Sequence, residues 1–301
     1  MGDRQPLTVV VGSVNRDVIV TVGRLPVEGE TVLATGRREG LGGKGANQAM
    51  AVARAGGAVS LIGAVGDDEA GRQLRAMLAD ASVDVSTLAT LPGVESGTAY
   101  VFVDDRGHNQ IVVHQGANDA VVLDEAAIGL VRAADVLVVQ SEVPAHVVAE
   151  AVAAADAAGV RVVVNLAPYR PAPGVVAVAD PLVVNEHEAA ELTGRAVTGA
   201  DDVVAMADEL LQMTRSAVVT LGAEGAVLVE RAGCMILPSP VPRAVVDTTG
   251  AGDAFVGVLA AGLARRLSLR TCVEAAAAAG SRSVETSGAG SGYPSFDLPE
   301  R

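Results

Sequence analysis

Residues 124–166 read DEAAIGLVRAADVLVVQSEVPAHVVAEAVAAADAAGVRVVVNL. Within this stretch the helix-like DEAAIGLVRAAD (124–135) runs into the apolar VLVVQ (136–140). PAHVVAEAVAAADAAG (144–159) then runs into VRVVVNL (160–166). Pro144 stands at a helix start and Gly159 just past a helix end, the asymmetry expected of caps. Short, wholly apolar runs between such helices read as strands buried on both faces. The pattern continues downstream: PLVVN (181–185) precedes EHEAAELTG (186–194), and DDVVAMADELLQM (201–213) precedes AVVTLG (217–222). Strands alternating with helices predict a parallel sheet covered on both sides, a three-layer α/β/α core.

Upstream the rhythm differs. Leu7 to Val11 is a buried strand by the same reading, but Asp17 to Thr35 is rich in β-branched residues, turns around Pro26–Gly29 and returns as ETVLAT (30–35). It reads as a small antiparallel excursion. A second comes at 97–115, where TAYVFVDD and HNQIVVHQ flank Arg106-Gly107 in the alternation of a hairpin. Tyr100 and Phe102 share one face of it, either over a ligand or packed within the hairpin. Between the excursions, GLGGKGANQAMAVARAGG (40–57) joins a glycine loop to a helix expected over about 46–55. There is no solenoid repeat and no Pro/Ser/Gly-rich linker, so one domain over 1–301, with a lid of about 16–40 and 97–115 inserted, is expected.

Composition narrows the function. Against 22 Lys+Arg stand 36 Asp+Glu, a formal charge of −14, and only 2% of the chain is aromatic, with no Trp. Nucleic-acid binding needs clustered cations or stacking platforms, and neither is present. Two cysteines and four histidines are too few for a disulfide framework or a zinc site. No run reaches the roughly 18 apolar residues of a membrane span. The expectation is a soluble, cytoplasmic protein.

Two glycine-rich loops stand before helices. In Gly42-Gly43-Lys44-Gly45-Ala46-Asn47 the lysine is followed by Gly, so it is no P-loop, and the dinucleotide spacing G-x-G-x-x-G is absent. The glycines allow backbone amides to approach a polar ligand, Asn47 offers a donor and an acceptor, and Lys44 a cation. A plain helix cap fits as well. In Asp247-Thr248-Thr249-Gly250-Ala251-Gly252-Asp253 the turn runs straight into AFVGVLAAGLARR, and free amides at such a start form an anion site. Asp253 is there either a favourable first-turn acid or a base facing a substrate hydroxyl, with the amides of residues 250–252 holding a transferring phosphoryl group. Asn15, Asp17, Glu142, Asn185, Glu188 and residues 220–225 follow successive strand ends, where ligands collect in open α/β sheets. Each alone reads as a cap or turn.

Taken in order, GSVNRD (12–17), GGKGANQA (42–49), HQGAND (114–119), the N-x-x-E of Asn185 and Glu188, TLGAEG (220–225) and DTTGAGD (247–253) resemble the ribokinase/PfkB-type carbohydrate kinase family nearly end to end. The resemblance implies a Rossmann-like, ribokinase-like core with a mainly parallel sheet and a β lid that also clasps a second subunit as a homodimer. It implies ATP-dependent phosphorylation of a sugar hydroxymethyl, D-ribose giving the 5-phosphate. Asp253 would be the base, with Gly250, Ala251 and Gly252 as anion hole. Asn15, Asp17, Gly43, Lys44, Gly45, Ala46, Asn47 and Glu142 would line the sugar site. Asn185, Thr220, Leu221, Gly222, Ala223, Glu224, Gly225 and Gly252 would bind nucleotide, and Glu188 would place Mg²⁺. An activating K⁺ would sit by Asp247, Thr249, Ser283, Thr286, Gly288 and Gly292 or Ser291. NLAP (165–168) and the small-residue stretch SGAGSGYP (287–294) depart from the family pattern, and the second leaves the last cation ligand open. Related kinases of 2-deoxyribose, a ketose or a nucleoside are the neighbouring readings, and a non-catalytic sugar or nucleotide sensor a remote one. No basic cluster for a phosphosugar is seen.

Overall fold

The valine-rich runs form the strands of a nine-stranded sheet because they are apolar on both faces over most of their length. A computed structural model describes residues 5–300; the charged residues 1–4 that open the chain, and residue 301, lie outside the described residues. In chain order the strands are β1 (Leu7–Val11), β2 (Asn15–Val22), β3 (Ala34–Gly42), β4 (Ala58–Gly66), β5 (Leu88–Leu91), β6 (Gly97–Asp104), β7 (Asn109–His114), β8 (Val136–Val139), β9 (Arg161–Asn165), β10 (Leu182–Asn185), β11 (Ala217–Thr220), β12 (Ala226–Glu230) and β13 (Gly233–Leu237). The helices are α1 (Lys44–Arg54), α2 (Glu69–Asp80), α3 (Glu125–Ala133), α4 (Ala145–Ala157), α5 (Pro173–Val176), α6 (Glu186–Thr193), α7 (Ala200–Ala205), α8 (Ala207–Met213), α9 (Ala251–Ala264) and α10 (Leu269–Ser283).

The large sheet runs β13-β12-β11-β10-β9-β8-β1-β4-β5. From β5 to β11 every pairing is parallel, and only β12 runs against the rest, antiparallel to both β11 and β13. Val10 packs with α1, α9 and α10 on one side, while Val9 and Val11 pack with α3 and α4 on the other. Alternate residues of one strand thus serve two cores, as the unbroken apolar run requires. β1 lies between β4 and β8, so the chain order reverses beside it, and a crevice opens at its carboxyl end.

The small sheet, ordered β3-β2-β6-β7, leaves the core at the end of β1. It is not purely antiparallel. β2 and β6 pair in parallel because each enters the lid from the same rim of the core, while β2–β3 and β6–β7 are antiparallel. The return strand begins at Ala34, leaving most of ETVLAT outside it, and α1 begins at Lys44, two residues before the expected start. Thr98, Tyr100 and Phe102 register with Arg16, Val18 and Val20. Side chains alternate along a strand, so the two aromatics lie on the face opposite Asn15 and Asp17, away from the crevice.

α1 and α9 cross at close range. A Cβ on Gly257 would fall 2.4 Å from Ala51 Cβ and 2.5 Å from the Gln48 carbonyl oxygen. Gly257→Val should destabilise the fold by about 1–3 kcal/mol through overpacking, read as a lower urea midpoint at unchanged m. An unchanged midpoint would show that the two helices have room to spare.

Candidate active site

Polar side chains stand at the carboxyl ends of β1, β8 and β9, and they converge on the start of α9. Gly250 there adopts a left-handed φ of 78°. A Cβ on it would meet Ala289 Cβ at 2.4 Å and the Tyr293 hydroxyl at 2.5 Å, so only glycine can make the turn. The buried Tyr293 hydroxyl donates to the Gly250 carbonyl at 2.6 Å. The N–H groups of Gly252 and Asp253 have no acceptor among the described residues, and they sit at the positive end of a 14-residue helix.

Asp253 in this first turn is only 7% exposed. Its Oδ2 accepts from Asn47 Nδ2 at 3.1 Å and its Oδ1 from Gln48 Nε2 at 2.9 Å, with Lys44 Nζ 4.0 Å from Oδ1. The Lys44 pKa is raised, chiefly by Asp253 and further by Glu142 and Glu188, against the opposing effect of burial. Asn47 Oδ1 is buried without a partner, an acceptor left for a ligand hydroxyl.

Asp17 projects from β2 over Gly42, where any Cβ would lie about 2 Å from its carboxyl group. Burial, reinforced by the nearby Glu142 and Asp253 carboxylates and opposed by Arg38, pushes its pKa up to about 7. Glu142 Oε2 accepts from the Ser13 hydroxyl and from the Lys44 N–H, the latter at 2.9 Å. Asn15 Oδ1 accepts from Asn118 Nδ2 at 2.7 Å, which leaves the Asn15 amide donors for other use.

Beyond Gly43, the glycine loop before α1 does not present its amides to a ligand. Gly45 N–H faces Ser13 Oγ and Ala46 N–H donates to the Ser13 carbonyl at 2.9 Å. Gly45 and Ala46 are buried, and a Cβ on Gly45 would fall 2.6 Å from Gly12 and Ser13 backbone atoms. These two residues dock the helix, while Gly43, Lys44 and Asn47 remain at the crevice.

On the other side of the α9 start is a cavity of about 420 Å³. Thr220, Gly222, Ala223 and Gly225 form one wall, with Ala251 and Gly252 at its end. Leu221 and Glu224 are not part of it: Leu221 is packed in the core and Glu224 is exposed to solvent. The remaining walls come from Ser239–Pro242, Val245, Phe255, Ala277 and Val284, none of which the motifs indicate. Val241 and Val245, 93% and 66% exposed, flank its rim as apolar surface without cover. Asn185 and Glu188 make a reciprocal capping box on α6, with bonds of 2.9 and 2.8 Å. Burial raises the Glu188 pKa, with the Asn185 bond and the Lys44 charge acting against it.

The C-terminal loop closes beside Asp247. That carboxylate accepts from Thr249 N–H and Gly288 N–H at 2.9 Å each and pairs with Arg38 of the lid at 3.3 Å. Burial works against the charge, but these donors hold its pKa below the usual aspartate range. Thr286 Oγ1 lies 3.1 Å from the Ser283 carbonyl and 2.8 Å from that of Gly292.

Sequence reasoning missed Arg38, Gln48, Asn118, Gln140, Asn165 and Tyr293. Gln48 and Asn118 were in plain view inside GGKGANQA and HQGAND. Gln140 and Asn165 end apolar strand runs, the signal used for the other polar residues, while Arg38 and Tyr293 carry no local signal.

Comparison with known proteins agrees with this geometry. The family model described as pfkB family carbohydrate kinase matches residues 5–295. The ribokinase of Schizosaccharomyces pombe is 35% identical over 96% of this chain and 95% of its own. The deoxyribokinase of Salmonella typhi is 32% identical over 96% and 95%. The structure of Arabidopsis thaliana ribokinase complexed with ribose and ATP superposes with a TM-score of 0.91, at 30% identity over 97% of this chain and 96% of that one. With matching motifs, fold and length, the chain belongs to the pfkB family of carbohydrate kinases.

Proposed function

We propose that the protein is a sugar kinase that transfers the γ-phosphoryl group of ATP to the 5-hydroxyl of D-ribose, giving ADP, ribose 5-phosphate and a proton. One observation carries the reading: Asp253 stands between two unlike half-sites. On one side are Asn15, Asp17, Asn47 and Glu142; on the other is the glycine- and valine-walled cavity, and the free amides of α9 lie at the junction. A pentose has no apolar face large enough to need stacking, and the carboxylates and amides can each hold a hydroxyl pair. The exposed valines and Phe255 suit a purine, with the phosphates directed to the α9 start.

In this arrangement Asp253 accepts the hydroxyl proton as the O–P bond forms. Phosphoryl transfer has a loose transition state, so positioning and electrostatics do most of the work. The Gly252 and Asp253 amides face the growing charge, and Lys44 adds a cation near the transferred group. Among the described residues no cluster of three His, Cys, Asp or Glu could hold a metal. Mg²⁺ would accompany the ATP phosphates, and the Glu188 oxygen left over from the capping box is the group that would help to hold it. When bound, it offsets phosphate charge.

K⁺ is proposed as an activator at the Asp247 loop, where Ser283 O, Gly292 O and Thr286 Oγ1 converge as neutral oxygens. Arg38 already shares the Asp247 carboxylate and would compete with that ion. A homodimer through the lid is proposed on the exposed edge strand β7, whose Ile111, Val112 and Val113 lie open. No helix among the described residues is long and apolar enough to cross a membrane. The cytoplasm, where ATP is made available, is the compartment this reading requires. The deoxyribokinase relative makes 2-deoxyribose the second substrate to consider.

An ADP-release assay over ribose, 2-deoxyribose, ketoses and nucleosides, run in KCl and in NaCl, should give ribose the highest kcat/KM and lower rates in NaCl. A nucleoside or 2-deoxyribose preference would overturn the substrate, and equal rates in both salts the activator. Because Asp17 titrates near about 7 in the free enzyme, kcat/KM for ribose should rise with pH through that value and level above it, as the carboxylate forms. Asp17→Asn should remove that limb; a limb that persists would belong to another group. Sedimentation at micromolar concentration should find a dimer that Val112→Lys converts to monomer, and a monomeric wild type would exclude the lid clasp.

A further inference from the structure

Gln48 is wholly buried, and it lies where α1 meets α9, at a point where an aliphatic side chain would pack as well. Instead it is the hub of a buried amide network. Its Nε2 donates to Asp253 Oδ1 at 2.9 Å and to Asn165 Oδ1 at 3.0 Å, while its Oε1 accepts from Gln140 Nε2 at 2.6 Å. Asn165 in turn donates to the Val183 carbonyl at 3.3 Å, tying the network to the sheet. Both hydrogens of the Gln48 amide are thus committed, and the Gln140 donation fixes which end of the amide faces Asp253. Gln140 gives its amino group to this bond although its own Oε1 is left buried without a partner. An orphaned acceptor is a cost that packing alone does not explain.

We infer that Gln48 is a positioning residue for the catalytic carboxylate, with Gln140 and Asn165 fixing its orientation. The inference rests on the reading of Asp253 as the base. Two neighbours on α1 grip opposite oxygens of Asp253: Asn47 holds Oδ2 from the crevice side, and Gln48 holds Oδ1 from the core. Asn47 is within reach of a ligand; Gln48, with no exposed surface, is not. Its contribution therefore runs through Asp253, whose rotamer it sets so that a carboxylate lone pair faces the crevice. No bond of Gln48 involves substrate, so the KM for the sugar should be insensitive to it.

A double-mutant cycle with Asp253→Asn separates the possibilities. Gln48→Leu should lower kcat by about 10- to 100-fold, the effect of misplacing a reacting group by about an ångström, with KM for ribose within about threefold. Added to Asp253→Asn, the same change should cost nothing further. A Gln48→Leu enzyme with wild-type kcat, or an equal additional loss in the Asp253→Asn background, would overturn the inference. Full turnover by Asp253→Asn alone would instead overturn the base assignment. Should Gln48→Leu fail to fold, the isosteric Gln48→Glu keeps the test: a carboxyl group cannot make both donations of the Gln48 amide, so kcat should fall at least about 10-fold with KM for ribose within about threefold. A wild-type kcat in Gln48→Glu would overturn the inference.

Discussion

The contact of the α1 start with the end of β1 decides where everything else in the crevice can stand. Gly45 lies so close to Gly12 and Ser13 that no side chain fits between them. That approach lets Lys44 N–H reach Glu142 and carries Asn47 and Gln48 against Asp253, which lies more than 200 residues further along the chain. A bulkier residue at 45 would push α1 outward and separate these partners together. The crossing of α1 over α9 at Gly257 repeats the device one turn deeper. Small residues are therefore the means by which two helices bring polar groups into register, and the alanine-rich composition follows from that need.

The electrostatics follow from this packing. A chain with a formal charge of −14 gathers Asp17, Glu142 and Asp253 in one crevice, where burial, reinforced by the other two carboxylates, drives Asp17 up to about 7. Such a cluster repels a polyanion at long range, so the triphosphate must be met locally, by amide hydrogens at a helix start and by Lys44. The same carboxylates suit a neutral polyol, which brings several hydroxyl donors and no charge. In the proposed function, sugar and nucleotide are met by different kinds of group on either side of Asp253.

The lid connects to this arrangement at two points. Asp17 enters the carboxylate-lined side of the crevice from β2, and Arg38 from β3 reaches across to Asp247, which the C-terminal loop also contacts. One small sheet therefore touches both the carboxylate-lined half of the crevice and the carboxylate that holds the C-terminal loop. The parallel pairing of β2 with β6 places Asn15 and Asp17 on the face turned to the core and Tyr100 and Phe102 on the other. The few aromatics of the lid are spent away from the ligand, as a site built on hydroxyl recognition allows.

The alternation of residues 124–222 and the order of the motifs were legible in the sequence, because strand and helix periods and glycine turns are local features of the chain. The candidate positions Asn15, Asp17, Lys44, Asn47, Glu142 and Asp253 were legible for the same reason: each follows a strand end or opens a helix. Their partners were not. Gln48 bonds Asp253 across 205 positions, and Arg38 meets Asp247 across 209. Within TLGAEG the sequence could not say that Thr220 and Gly222 face the cavity while Leu221 turns to the core and Glu224 to water. The direction of a side chain and the identity of its partner depend on how elements distant in the chain pack against each other, and only the assembled layers of helix and sheet decide that.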